Sequence, residues 1–169
     1  MKPDLSRVAS SFHGYINLVP EDDILESFVN QSAAFIRFLD TIPSDKHDYR
    51  YAEDKWTIRE VLQHVIDAER VFAYRALRFA RFDKTVLQPF DENHFAATAQ
   101  ADRRTWEKLV EEFKVVRRSS ELLFQSFSSE QLEGEGTAGT NPTYVLALGY
   151  TIIGHALHHI NVTRERYLG

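Results

Sequence analysis

Hydrophobic residues recur at helical spacing in four segments of the chain, and polar or proline-containing stretches separate these segments. The four predicted helices cover residues 24–42, 57–81, 106–127 and 141–167. In the first three, apolar positions three and four residues apart form one face and polar residues occupy the other. The fourth is apolar on every side over its first half, as expected of a helix packed between neighbours. No remaining segment alternates for long enough to build a sheet, so the sequence predicts an all-α fold.

Residues typical of helix ends support these boundaries. Thr57 and Glu60 have the spacing of a capping box at the start of the second helix. We interpret Asn141 and Pro142, which follow a glycine-rich loop, as a helix cap and a first-turn proline. Residues 83–100, between the second and third helices, are irregular and long enough to cross from one end of a bundle to the other. We therefore expect one domain, residues 1–169, built as a four-helix bundle with a long crossover loop.

Charge and composition narrow the classes of function. The 169 residues carry a net charge of -5 and the pI is about 5.8, so no global positive field attracts a nucleic acid backbone. Four arginines of the second helix point in several directions, and we interpret them as a solvated surface. They are Arg70, Arg75, Arg78 and Arg81. No segment has the pattern of a signal peptide or a membrane span. We expect a cytoplasmic protein with no nucleic acid and no membrane partner.

The sequence has no cysteine, which restricts its chemistry further. Disulfides, zinc fingers and iron–sulfur clusters are excluded, and any metal must be bound by imidazole and oxygen atoms. A reaction that uses a thiol must take that thiol from outside the chain.

A pair of histidines on the fourth helix is the strongest candidate for chemistry. His155 and His159 lie on nearly the same helix face, at the end of an apolar stripe, whereas His158 is turned away by about 100°. An ion held by the pair needs a third ligand, and His64 on the apolar edge of the second helix is the best candidate. Spacing alone leaves a plainer interpretation open, in which His64 is a hydrogen-bonded boundary residue and the others form a polar helix end.

Other metal and hydrolase signatures are missing from the sequence. Ferritin-like di-iron sites use Glu-x-x-His on two helices, and no histidine here follows a glutamate by three positions. The zincin pattern His-Glu-x-x-His fails because Ala156 follows His155. No Gly-x-Ser-x-Gly elbow supports a Ser-His-Asp triad. These absences favour a single ion over the other metal architectures.

Four short motifs, taken in order, resemble the DinB-like superfamily over essentially the whole chain. They are KWTIREVLQH at 55–64, DAER at 67–70, GHALHH at 154–159 and RERY at 164–167. The resemblance implies a four-helix bundle of unusual handedness, often dimeric, in which three histidines hold a divalent ion such as nickel or zinc. The family's ligand on the second helix falls on His64, and its pair on the fourth helix falls on His155 and His159.

The resemblance also implies two kinds of function. Two branches of the superfamily resemble transferases that use bacillithiol, mycothiol or another low-molecular-weight thiol against electrophiles, and others are hydrolases or have no known role. We therefore expect a metal-dependent enzyme in which a thiol or water attacks a small electrophilic substrate, and the resemblance implies a homodimer; the catalytic residues stay unassigned. The alternative is a non-catalytic bundle that binds a ligand or partner, with a structural ion closed by a fourth ligand such as His94. Glu60, one turn before His64, has either the capping role or a role in orienting that imidazole.

Overall fold

Helices dominate the computed structural model, which describes residues 1–169. They are α1 (His13–Leu18), α2 (Ile24–Thr41), α3 (Ile58–Ala80), α4 (Glu92–Thr98), α5 (Trp106–Gln125), α6 (Ser129–Leu132) and α7 (Val145–Val162). An antiparallel hairpin, β1 (Glu135–Ala138) and β2 (Asn141–Tyr144), precedes α7, and a π-helical segment, Thr163–Leu168, follows it. The long helices α2, α3, α5 and α7 form a bundle, which confirms the predicted fold class. No helix is both long and apolar enough to cross a membrane.

The long helices α2 and α3 lie diagonally across the bundle. Helices α5 and α7 each pack against both α2 and α3, and two clusters of buried apolar side chains fill the space between the four. Every residue of α7 from 145 to 156 is buried. This burial explains why the first half of α7 is apolar on all sides.

Side-chain caps mark the starts of three of the long helices, α2, α3 and α5. The Glu60 carboxylate accepts a hydrogen bond from the Thr57 backbone N–H at 2.7 Å, and the Thr57 hydroxyl accepts one from the Glu60 N–H at 3.2 Å. The predicted capping box is therefore confirmed. At the start of α2, Asp23 accepts from the backbone N–H groups of Leu25 and Glu26. A cap of this kind contributes about 1 kcal/mol.

The prediction that the fourth helix starts at Asn141 and Pro142 is wrong. Both residues lie in β2, where Pro142 is opposite Thr137, and the helix begins at Val145. Gly139 adopts a φ of 62° in the turn between the strands. Each strand has only four residues, and neither alternates between buried and exposed positions, so no two-residue pattern indicates them.

Three further helices, α1, α4 and α6, lie in segments for which the sequence predicted none. Helix α4 lies within residues 83–100, and Asp91 caps it by accepting from two backbone N–H groups. Helix α1 lies near the start of the chain and packs directly on α7. A Cβ atom added to Gly154 of α7 would lie 1.9 Å from the backbone carbonyl oxygen of Tyr15 in α1. The glycine therefore permits the close approach of these two helices.

A buried ion pair joins α3 to α5. The Arg117 guanidinium donates three hydrogen bonds to the Glu69 carboxylate, at 2.9, 3.1 and 2.8 Å. Each of the two side chains is only 2% exposed. This pair holds α3 against α5 in the middle of the bundle.

Candidate metal centre

Three histidine side chains from two helices meet inside the bundle. His64 lies in the second turn of α3, and His155 and His159 lie one turn apart on α7. Nε2 of His155 is 3.0 Å from Nε2 of His64 and 3.2 Å from Nε2 of His159. The donor atoms of the three residues all lie within 4.8 Å of one another. The structure thus brings together the three residues that the sequence analysis singled out.

Burial keeps these imidazoles neutral. His64 and His155 are 6% and 5% exposed, and His159 is partly buried. Desolvation lowers the pKa of His64 to about 4. Desolvation, with the neighbouring His64 and His158, lowers the pKa of His159 to about 3. Desolvation and the nearby histidines also hold the pKa of His155 well below its usual value. Neutral imidazole is the form that binds a metal ion.

Hydrogen bonds within the cluster do not account for its nitrogen contacts. A neutral imidazole nitrogen has either one proton or one lone pair, so Nε2 of His155 can make one well-aligned N–H···N bond. It contacts two nitrogens, at 3.0 and 3.2 Å. Tetrahedral zinc, with bonds of about 2.0–2.1 Å to nitrogen, separates its ligands by about 3.3 Å. The three-histidine cluster therefore fits a divalent cation, toward which all three Nε2 lone pairs can point.

Aromatic side chains surround the cluster on several sides. The ring centre of Tyr15 in α1 lies 5.3 Å from that of His155, and the Phe72 ring lies 5.9 Å from it. The Trp56 ring lies 4.7 Å from that of His64. None of these side chains adds a carboxylate or imidazole, and the cluster has three members. The aromatic rings keep water away from the faces of the ligand rings that they cover.

Two cavities reach the cluster from different sides. The first, here called the Arg75 cavity, has a volume of about 250 Å³. Its lining includes His64, His155, Phe72, Arg75, Phe90 and Glu92. The second, the His159 cavity, has a volume of about 260 Å³. Its lining includes Tyr51, Lys55, Trp56, Asn93, His159 and Tyr167. Helix α4 borders both cavities, since Glu92 and Asn93 belong to it.

Three other residues considered in the sequence analysis lie outside the cluster. The Glu60 carboxylate is engaged at Thr57 in the capping box and does not contact His64. The ring of His158 lies 5.2 Å from that of His159 and 5.5 Å from Tyr15, so it packs beside the cluster. His94 is exposed on α4. None of the three supplies a fourth ligand.

The sequence analysis missed Arg75. We expected it on a solvated surface, but this expectation is wrong, because the residue is 6% exposed and lines a cavity beside the cluster. The spacing of residues along the helix could have placed Arg75 on the same face as His64. At about 100° per residue, positions 64, 68, 72 and 75 fall on one face of a helix, and all four line the Arg75 cavity.

A family model described as the DinB superfamily matches residues 27–162, a stretch that contains all three histidines and Arg75. The chain belongs to the DinB superfamily. This confirms the resemblance carried by the four motifs of the sequence.

Two similar proteins can be compared with this DinB chain. A protein of Geobacillus thermodenitrificans (strain NG80-2) with the name "Putative metal-dependent hydrolase" is 27% identical over 113 residues. The match covers 64% of the DinB chain and 62% of that protein, which is less than two thirds of its length. A solved structure, YfiT from Bacillus subtilis, is described as "a probable metal-dependent hydrolase with an unusual four-helix bundle topology". It superposes with a TM-score of 0.71 and 15% identity, covering 97% of the DinB chain and 92% of YfiT. At this identity the likeness concerns the fold alone.

Proposed function

We propose that this chain is a metal-dependent enzyme whose divalent ion is held by His64, His155 and His159. The observation that carries the proposal is the convergence of three neutral imidazoles, two buried and one partly buried, next to a cavity. An all-imidazole donor set suits zinc and nickel. The names of the Geobacillus protein and of YfiT, both of which contain "metal-dependent hydrolase", support the same class.

The residues at such a site would have two roles: the histidines hold the ion, and aromatic side chains orient a ligand ring. A bound divalent ion would lower the pKa of an adjacent water or thiol and so supply an anionic nucleophile at neutral pH. The three histidines would hold the ion as neutral ligands and would leave its charge uncompensated. Tyr15 and Phe72 pack against His155 and fix the orientation of its ring.

An open coordination position favours a catalytic ion over a structural one. Structural zinc sites are closed by four protein ligands, whereas catalytic sites keep a position for water or substrate. The cluster contains three histidines and no fourth histidine or carboxylate. This composition speaks against the alternative of a non-catalytic bundle with a structural ion.

Hydrolysis of a small electrophile is the reaction that the relatives' names favour, with water as the nucleophile. The His159 cavity is a specific observation in favour of a second candidate, transfer of a thiol. An electrophile in the Arg75 cavity and a thiol in the His159 cavity would meet at the cluster. Because the chain has no cysteine, that thiol would be a low-molecular-weight cosubstrate.

Metal stoichiometry tests the proposed ligands. Protein purified without a His tag is incubated with Zn²⁺ or Ni²⁺, desalted, and its metal content is measured by mass spectrometry. We expect one ion per chain for the wild type and for His94→Ala, whose side chain is exposed. His64→Ala and His155→Ala should lose the ion. Equal and negligible metal in the wild type and His155→Ala would overturn the proposal.

A rate measurement then separates water from thiol. The metal-loaded protein is given a p-nitrophenyl ester alone, and separately a bimane electrophile with and without an added thiol. Ester cleavage without thiol would support hydrolysis, and thiol-dependent bimane conjugation would support transfer. His155→Ala provides the background rate. If neither rate exceeds this background, the enzymatic role is contradicted.

A further inference from the structure

Arg75 is a buried arginine that has no carboxylate partner. It lies near the C-terminal end of α3 and is 6% exposed. The other buried arginine, Arg117, forms an ion pair with Glu69. Arg70 and Arg78, on the same helix as Arg75, are more exposed and each forms an ion pair. No ion pair within 4.0 Å involves Arg75.

Most of the N–H groups of Arg75 have no acceptor in the protein. A guanidinium has five N–H groups. In Arg75, one N–H of Nη2 donates to the backbone carbonyl oxygen of Gln88 at 3.1 Å. Burial lowers the pKa of Arg75, with no acidic neighbour to offset it. A buried charge without a partner destabilises a fold. The free donors line a cavity, where a molecule entering from outside can reach them.

Two phenylalanine rings flank the Arg75 guanidinium, and one of them, Phe72, also lies beside His155 of the cluster. The guanidinium carbon of Arg75, Cζ, lies 5.8 Å from the ring centre of Phe72 and 5.8 Å from that of Phe90. His64 and Arg75 lie on one face of α3, about 16 Å apart along the helix axis. Ala68 lies between them on this face, and its small side chain leaves room for the cavity.

The other side chains of the Arg75 cavity do not neutralise its charge. Glu92 is the one carboxylate in the lining, and it is exposed at the start of α4. The remaining polar groups, those of Ser11, Tyr15 and Asn141, are uncharged, and the two histidines are neutral. Arg75 therefore provides the only buried charge of this cavity.

We propose that Arg75 binds a carboxylate group of the substrate while the substrate's electrophilic end reaches the three-histidine cluster. The position of the electrophilic end at the cluster rests on the proposed function, whereas the binding of a carboxylate at Arg75 does not. A carboxylate matches the guanidinium fork through two parallel hydrogen bonds. The substrate class is then small carboxylic acids that carry a second, electrophilic group.

The test compares an acid with its neutral isostere. Binding of phenylacetate, phenylacetamide and phenyl phosphate to the full chain is followed by NMR, before and after removal of metal with a chelator. Phenylacetate should bind in both states, more tightly than the amide, and Arg75→Gln should weaken it roughly tenfold or more. Arg70→Gln, at an exposed position of the same helix, is the matched control and should leave the affinity unchanged. Equal binding of acid and amide, or an unchanged affinity in Arg75→Gln, would overturn the proposal, and a preference for phenyl phosphate would overturn the choice of carboxylate.

Two further variants separate the possible reasons for failure. His155→Ala removes a cluster residue but keeps Arg75, so it should still bind phenylacetate even if the proposed metal site does not exist. Loss of binding in His155→Ala, with normal binding in Arg75→Gln, would place the carboxylate at the cluster and refute the role of Arg75. Arg75→Met should melt at the same temperature as the wild type or higher, because an unpartnered charge is removed. A fall of more than about 5 °C would assign Arg75 to the stability of the fold instead.

Discussion

Glu69→Leu should destabilise the bundle strongly, because it leaves the buried Arg117 without its carboxylate. The guanidinium now makes three hydrogen bonds to Glu69, and each of the two side chains is 2% exposed. Nη1 of Arg117 has no partner even in the wild type. After the substitution, the charge would keep only the flanking rings of Phe28 and Phe113, at 5.8 and 5.2 Å.

The expected loss follows from the burial of both partners. Removing one partner of a buried ion pair costs about 3–5 kcal/mol, because the other charge stays in a poorly solvated interior. Domains of this size have a free energy of unfolding of about 5–15 kcal/mol. The double variant Glu69→Leu/Arg117→Met replaces both charges with apolar side chains. It should therefore recover at least about 2 kcal/mol relative to the single variant.

Urea denaturation followed by circular dichroism measures these free energies at one fixed metal content. Arg118→Met is a matched control on α5, since the Arg118 side chain is 59% exposed. Loss of its surface ion pair should cost less than about 1 kcal/mol. If Glu69→Leu and the double variant lose the same free energy, lost packing at position 69 explains the effect and the reasoning about the charge is refuted.

Two other predictions concern helix packing and acid stability. Gly154→Ala should destabilise the protein by about 3 kcal/mol and speed hydrogen exchange in α1, because its Cβ would meet the Tyr15 carbonyl oxygen. Gly14→Ala, whose Cβ meets nothing within 4 Å, is the control, and equal urea midpoints for the two variants would contradict the prediction. The pKa of His64 falls from 6.5 to about 4 on folding, so the unfolded chain binds more protons between these values. His64 alone should therefore cost the metal-free protein up to about 3 kcal/mol of stability as the pH falls from 6.5 to 4, and His155 and His159, whose pKa values are also lowered, should add to this loss. His64→Gln should flatten this pH dependence in urea titrations, and an unchanged slope would contradict it.

Sequence patterns predicted the long helices well, because their signals are local. The predicted ranges 24–42, 57–81 and 106–127 agree with α2, α3 and α5 to within two residues at either end. Caps within one turn, such as Thr57 with Glu60, define these ends. The hairpin escaped prediction because its short strands are held by each other and by packing. A Cβ on Gly136 would lie 2.0 Å from the Phe79 ring of α3, a contact between residues far apart in the chain.

The grouping of the three histidines could be predicted because two rules constrain it. His155 and His159 share a face by their spacing, and His64 sits on the apolar edge of a helix that must face the bundle interior. The surroundings of the cluster could not be predicted in this way. Tyr15 reaches it from α1, and the partnership of Glu69 with Arg117 joins residues 48 positions apart. Such contacts depend on how the helices pack.

Helix α3 carries two kinds of buried polar group: one that is paired within the fold and one that has no partner in the fold. Toward α5, Glu69 and Arg117 neutralise each other's charge in a buried ion pair, so removal of either partner should reduce stability. Toward the cavity, Arg75 has N–H groups without an acceptor and His64 has a neutral ring nitrogen. Burying such polar groups does not stabilise the fold. Arg117→Met and Arg75→Met are the same chemical change at similar burial, yet the first should lower the free energy of unfolding and the second should lower only the affinity for a carboxylate. The contrast between a buried arginine with a carboxylate partner and one without supports our proposal that ligands bind at the Arg75 cavity.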